Sequence, residues 1–186
     1  AWQDQTGAPT DPQAGNIPGG FRDVLRSANF NKGQAAGFFI DSGVWTAQNG
    51  SYNVEPETRG GDALSVFLVD DHVPTYYEMR ASLRPVKPTG GYKSNAYLVF
   101  DYFSETDFKF AGINVSTNKL EIGYHDADGW HIEVQETFQG SLKSDTNYNI
   151  LLAVNGTVVT LVVNNTSYLS HTFDIRVDEY GLSHAL

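Results

Sequence analysis

The segment Ala96–Phe138, AYLVFDYFSETDFKFAGINVSTNKLEIGYHDADGWHIEVQETF, constrains the fold more than any other part of this chain. Short apolar runs of strand length are separated by polar turns, and no 3.6-residue apolar period runs through it. A segment of this kind reads as four consecutive strands. It contains no phosphate-binding glycine loop, no metal-ligand motif and no nucleophile motif.

The rest of the chain repeats the pattern. Tyr76–Leu83 alternates, with Tyr77, Met79, Ala81 and Leu83 on one side and Tyr76, Glu78, Arg80 and Ser82 on the other. That is a strand with one wet face. Short strands are also expected around Phe39–Ile40, Gly43–Trp45, Gly50–Val54 and Ala63–Val69. Tyr148–Val154, Thr157–Val163 and Tyr168–Ile175 complete the series. Ten to twelve strands without a long helix predict an all-β antiparallel sandwich or jelly roll, since parallel α/β folds need intervening helices. Trp45 is expected in the core, and a weak short helix over Phe21–Ala28.

Two hairpins can be assigned registers. Asn155-Gly156 is a strong turn signal. Pairing Val154 with Thr157 sets Leu152 opposite Val159 and Ile150 opposite Leu161. In the second hairpin, a five-residue loop Asp126–Trp130 sets Ile122 opposite Val134 and Tyr124 opposite Ile132. It also sets His125 opposite His131, on a face shared with Glu121, Glu133 and Gln135.

Residues 1–20 differ in character. They hold three of the seven prolines and four glycines, with almost no apolar periodicity. Pro and Gly oppose helix and central strand alike, so these residues form an arm, linker or edge-pairing segment. Residues 21–186 form the sandwich.

Composition narrows function. A net charge of −10 repels phosphate backbones, which argues against nucleic acid. The acidity is compatible with Ca²⁺ as a ligand and equally with solubility alone. With no cysteine, disulfides, thiolate metal sites and Cys nucleophiles are excluded. No apolar run approaches membrane-spanning length. The chain starts without Met, so a secreted protein with its signal peptide removed, or an excised piece, is expected.

Trp130, Tyr97 and Tyr102 are candidate sugar-stacking rings, with Tyr76 and Tyr92 near them, because pyranose C–H faces pack on flat aromatics. His125, His131 and Glu121 are the neighbouring polar candidates. Two imidazoles and a carboxylate are also suitable metal ligands, although a cross-strand His pair on a wet face needs no metal. Asp126 and Asp128 are candidate Ca²⁺ ligands, although ordinary turn chemistry accounts for them; so are the acids Asp70, Asp71, Asp101 and Asp107. Glu133-Val-Gln-Glu136 and Asp178-Glu179 do not supply the alternating acids of a glycosidase strand.

The run NFNKGQAAGFFIDSGVWTAQNGSYNV, with Gly43-x-Trp45 and Asn49-Gly50-x-Tyr52, resembles the opening of concanavalin A-like, laminin-G-like jelly rolls of bacterial secreted and adhesin-type surface proteins. YYEMRASL and the central strands are similar to the same group, over roughly residues 28–186. The resemblance implies a concanavalin A-like jelly roll, with Asn29 and Asn31 as the remnant of a structural Ca²⁺ site. Such domains end in a further strand, which this sequence lacks; truncation, or completion by residues 1–20 of the same or another copy, would account for it. Glu78 and Arg80 faintly echo alginate-lyase-like enzymes of this fold, but the Gln-x-His of those enzymes is absent. The expected function is a non-catalytic extracellular module that binds polysaccharide or cell-surface glycan, or adheres. The alternatives are a fibre or sheath subunit that self-associates through residues 1–20 by strand donation, and, third, a polysaccharide lyase or hydrolase.

Overall fold

The computed structural model describes residues 17–58, 60–69, 73–86 and 93–175. Most of the arm, residues 1–16, lies outside that set, as do Asp70, Asp71, His72, Tyr92 and residues 176–186, so the expected completion of the sandwich by the arm lies outside the described residues. Among the described residues twelve strands follow in order: β1 (Phe38–Ser42), β2 (Val44–Gln48), β3 (Ser51–Glu55), β4 (Leu64–Phe67), β5 (Tyr76–Leu83), β6 (Asn95–Ser104), β7 (Asp107–Asn114), β8 (Lys119–Asp126), β9 (Gly129–Thr137), β10 (Tyr148–Asn155), β11 (Val158–Val163) and β12 (Ser167–Thr172). They pair into two four-stranded sheets, β12-β11-β10-β5 and β6-β7-β8-β9, with two-stranded sheets β1-β4 and β2-β3 beside them. Every pairing is antiparallel.

Period-two alternation decides what lies between the large sheets. Ala111, Ile113, Leu120 and Ile122 face Ile150, Leu152, Val154, Val159, Leu161 and Leu169 in one core. Each fully buried aliphatic side chain contributes about 1.5–3 kcal/mol relative to exposure. The inward side of β5 is the expected one: Tyr77, Met79 and Leu83 pack on this core. At one end of the sandwich Lys109 and Asp101 form a buried ion pair of 2.8 Å. A register irregularity in β6 after Phe100, with Asp101 at φ 46°, accompanies that pair.

Both hairpin registers need correction. β10 and β11 pair Leu152 with Leu161 and Ile150 with Val163, two residues away from the expected match. Positive φ falls on Gly156 alone, so glycine takes the first central turn position and Asn155 itself pairs, with Val158. A shift of two keeps every side chain on its expected face. In the β8–β9 hairpin the turn is only Ala127-Asp128, because the Asp126 carboxylate accepts the Asp128 N–H at 2.8 Å. Ile122 does pair with Val134, but through a bulge that leaves Glu133 unpaired. Between bulge and turn, Tyr124 pairs with His131 and His125 with Trp130.

Two further expectations fail. Trp45 lies outside the main core, in a satellite cluster. Its ring is 4.7 Å from Tyr52, which in turn meets Phe30 and Phe38, and its N–H donates to the Ser42 carbonyl. Among the described residues there is no helix, and 21–28 is irregular. An eight-residue helix is marginal without packing; Phe21 and Val24 point to solvent, and Arg22 donates to the carbonyls of Pro18, Gly20 and Phe21 instead.

Candidate functional site

Strand β7 is buried on both faces. Its inward residues meet the core, so something else must cover Phe108 and Phe110 on the outer face. The register supplies the answer. Tyr97, Gly112 and Glu121 lie side by side on β6, β7 and β8; Phe110 lies beside Gly123, and Phe108 beside His125 and then Trp130. Gly112 and Gly123 are required by close approach. A Cβ on Gly112 would come within 2.8 Å of the Tyr97 Cα, and one on Gly123 within 2.8 Å of the Phe110 ring. Their absence lets the aromatic rings settle onto the sheet.

The rings form one continuous cluster. Phe110 is 4.9 Å from Tyr97 and 4.8 Å from Trp130. Phe108 stacks on His125 at 4.9 Å and meets Trp130 edge-on at 5.5 Å. Tyr102, beyond the β6 irregularity, stacks over Phe108 at 6.4 Å. Phe108 and Phe110 are sealed beneath, whereas Trp130 keeps 40% exposure. Trp130 is thus an open ring on an aromatic floor.

The polar groups of the outer rings are all spoken for by acids. The Trp130 indole N–H donates to Asp62 at 2.8 Å, the Tyr97 hydroxyl to Glu121 at 2.5 Å, and the Tyr102 hydroxyl to Asp41. Glu121 is 4% exposed and also accepts from the Asn114 amide at 3.2 and 3.3 Å. Burial, then the Glu121 carboxylate, push the Tyr97 phenol far above its ordinary range. Desolvation, then the Asp41 hydrogen bond, raise Tyr102 to about 12. The His125 Nδ1 is buried beside this cluster with no hydrogen-bond partner among the described residues.

Five of the sequence-derived candidates therefore converge: Tyr97, Tyr102, Glu121, His125 and Trp130. His131 does not. Its ring stacks on Tyr124 at 4.6 Å, and its Nε2 is 2.8 Å from Asp126. Glu133, at the bulge, turns toward His171 at 3.7 Å. A metal held jointly by His125, His131, Glu121 and Glu133 is incompatible with this register. Trp130 belongs to the strand, not to a loop. Asp126 is taken up by His131 and the Asp128 amide, and Asn29 accepts the Asn31 N–H at 3.3 Å in a local turn. Among the described residues no three His, Asp or Glu side chains are grouped to hold a metal. Tyr76 sits on the other large sheet, where Glu78 is saturated by Tyr76, Arg80 and Arg22.

Sequence reasoning missed Phe108, Phe110, Asn114, Asp41 and Asp62. The glycines at 112 and 123, inside otherwise apolar strands, were the readable sign that rings lie flat there. Nothing local marked the two aspartates.

The fold and this face define a two-layer antiparallel β-sandwich of jelly-roll type with an aromatic outer face. A solved structure similar to this chain is that of the carbohydrate-binding module CBM66 from Bacillus subtilis, with a TM-score of 0.64 over 75% of this chain and 81% of that one, at 8% identity. At that identity the likeness shows the fold. No family model and no curated protein matches the chain. Among the described residues no helix is long and apolar enough to cross a membrane.

Proposed function

We propose that this chain is a non-catalytic carbohydrate-binding module that takes polysaccharide or cell-surface glycan on the outer face of the β6-β7-β8-β9 sheet. One observation carries the reading: the Trp130 ring is exposed, yet fixed by Phe108, Phe110, His125 and Tyr97 around it and by Asp62 on its N–H. A pre-organised ring loses little freedom when a sugar stacks on it. Rim carboxylates then accept hydroxyl hydrogen bonds. The fold of a known carbohydrate-binding module supports the same reading. Such a module would work outside the cell, where polysaccharide is met.

The test is affinity electrophoresis and calorimetry against a panel of neutral, amino and acidic polysaccharides, with Ca²⁺ and with chelator. Retardation by at least one glycan, lost in Trp130→Ala, is expected. No retardation by any glycan in either condition would remove the reading.

A further inference from the structure

The aromatic face shows one repeated chemistry: Trp130, Tyr97 and Tyr102 each donate their single polar hydrogen to a carboxylate, Asp62, Glu121 and Asp41 in turn. We infer that this face selects glycan units carrying a positive charge, amino sugars with a free amine, over neutral sugars, and rejects uronic acids. The inference rests on the glycan-binding reading above and adds the charge class of the ligand.

Two effects act in the same direction. An N–H or O–H that donates to a carboxylate leaves more electron density in its ring. The ring face then becomes a better seat for a cation. The three carboxylates also set a negative field over the rings, and low-dielectric walls such as Phe108 and Phe110 strengthen it. Of the basic groups nearby, Lys119 is held on Gln135 at 2.9 Å, and His125 lies flat against Phe108. The chain as a whole carries −10, so no general field offsets the local one. An ammonium placed over Trp130 meets the ring and Asp62 together; a uronate in the same place meets like charge.

The experiment is calorimetry at low salt and about pH 6, where a sugar amine is protonated. The probes are a glucosamine oligomer, its N-acetylated counterpart and an oligogalacturonate, against the wild-type chain and Asp62→Asn. The amine oligomer is expected to bind on the order of tenfold tighter than the N-acetylated one, and the oligogalacturonate not at all. In Asp62→Asn the amine-to-acetyl ratio should fall toward one, since the amide still accepts the indole N–H but carries no charge. Equal affinities in the wild-type chain, or tighter binding of the acidic oligomer, would overturn the charge selection and leave glycan binding standing. Failure of all three probes, together with the negative polysaccharide panel above, would take both readings down.

Discussion

Asp62 accepts the indole N–H of Trp130 at 2.8 Å across 68 residues of sequence. The contact joins the approach to β4 with the first residues of β9, and it orients the ring from its edge while Phe110 supports it from below. Removing the ring should therefore affect ligand more than fold. Trp130→Ala is expected to weaken glycan affinity at least tenfold, as loss of a central aromatic anchor does. The same change should cost only about 1–2 kcal/mol of stability, because the ring is partly exposed. Parallel calorimetry and denaturant titration check both numbers. A large stability loss with unchanged affinity would assign Trp130 to packing alone.

Gly123 tests the floor of the face. A Cβ there would lie 2.0 Å from the His131 carbonyl oxygen and 2.8 Å from the Phe110 ring. Gly123→Ala should cost about 1–3 kcal/mol by overpacking, and should weaken the near-ultraviolet circular dichroism of the ring cluster. Gly19→Ala is the control, since among the described residues nothing lies within 4 Å of its Cβ position; it should change stability by less than about 0.5 kcal/mol.

How far this arrangement was legible follows from which interactions are local. Alternation in YYEMRASL and in β8 is a property of adjacent residues, and it set Tyr77, Met79 and Leu83, and Ile122 and Tyr124, on the side that packs on the core. Register was harder. The demand that Ile122 meet Val134 was correct, but the chain meets it by bulging at Glu133, so the expected loop was too long. That single displaced residue set His125 opposite Trp130 and His131 opposite Tyr124, so the cross-strand His pair does not form. Asp41 and Asp62 belong to the small β1-β4 unit and its approach. Their partners lie 61 and 68 residues away, a distance no period in the sequence can encode.

Glu78 anchors the outer face of the opposite sheet. Its side chain is only 6% exposed and receives Arg22, Arg80 and Tyr76. Desolvation pushes its carboxyl up, but the hydrogen bonds from Tyr76, Arg80 and Arg22 outweigh it, and the net shift is below the ordinary 4.5. A carboxyl depressed on folding contributes stability above its unfolded value and loses it as pH falls through the folded value. Glu78→Gln should cost about 2 kcal/mol at neutral pH. It should also flatten the decline in stability below about pH 4.5, which urea titrations across the acid range will show.

The alkaline side carries the opposite sign. Tyr102 and Tyr97 are both raised by burial and by the carboxylates they donate to, Tyr102 from the ordinary 10.0 to about 12 and Tyr97 further. Between those values the folded chain holds protons that the unfolded chain has lost. The stability these phenols contribute is complete below pH 10.0 and is lost as pH rises through their folded values. Stability should therefore fall steeply between pH 10.0 and about 12, and tyrosinate absorbance should lag behind that of the unfolded chain over the same interval. Asp41→Asn keeps an acceptor for the Tyr102 hydroxyl but removes the charge, so it should bring the Tyr102 phenol down and recover part of that lag. A titration curve unchanged in Asp41→Asn would mean that burial alone raises Tyr102, and that its link to β1 carries no electrostatic weight.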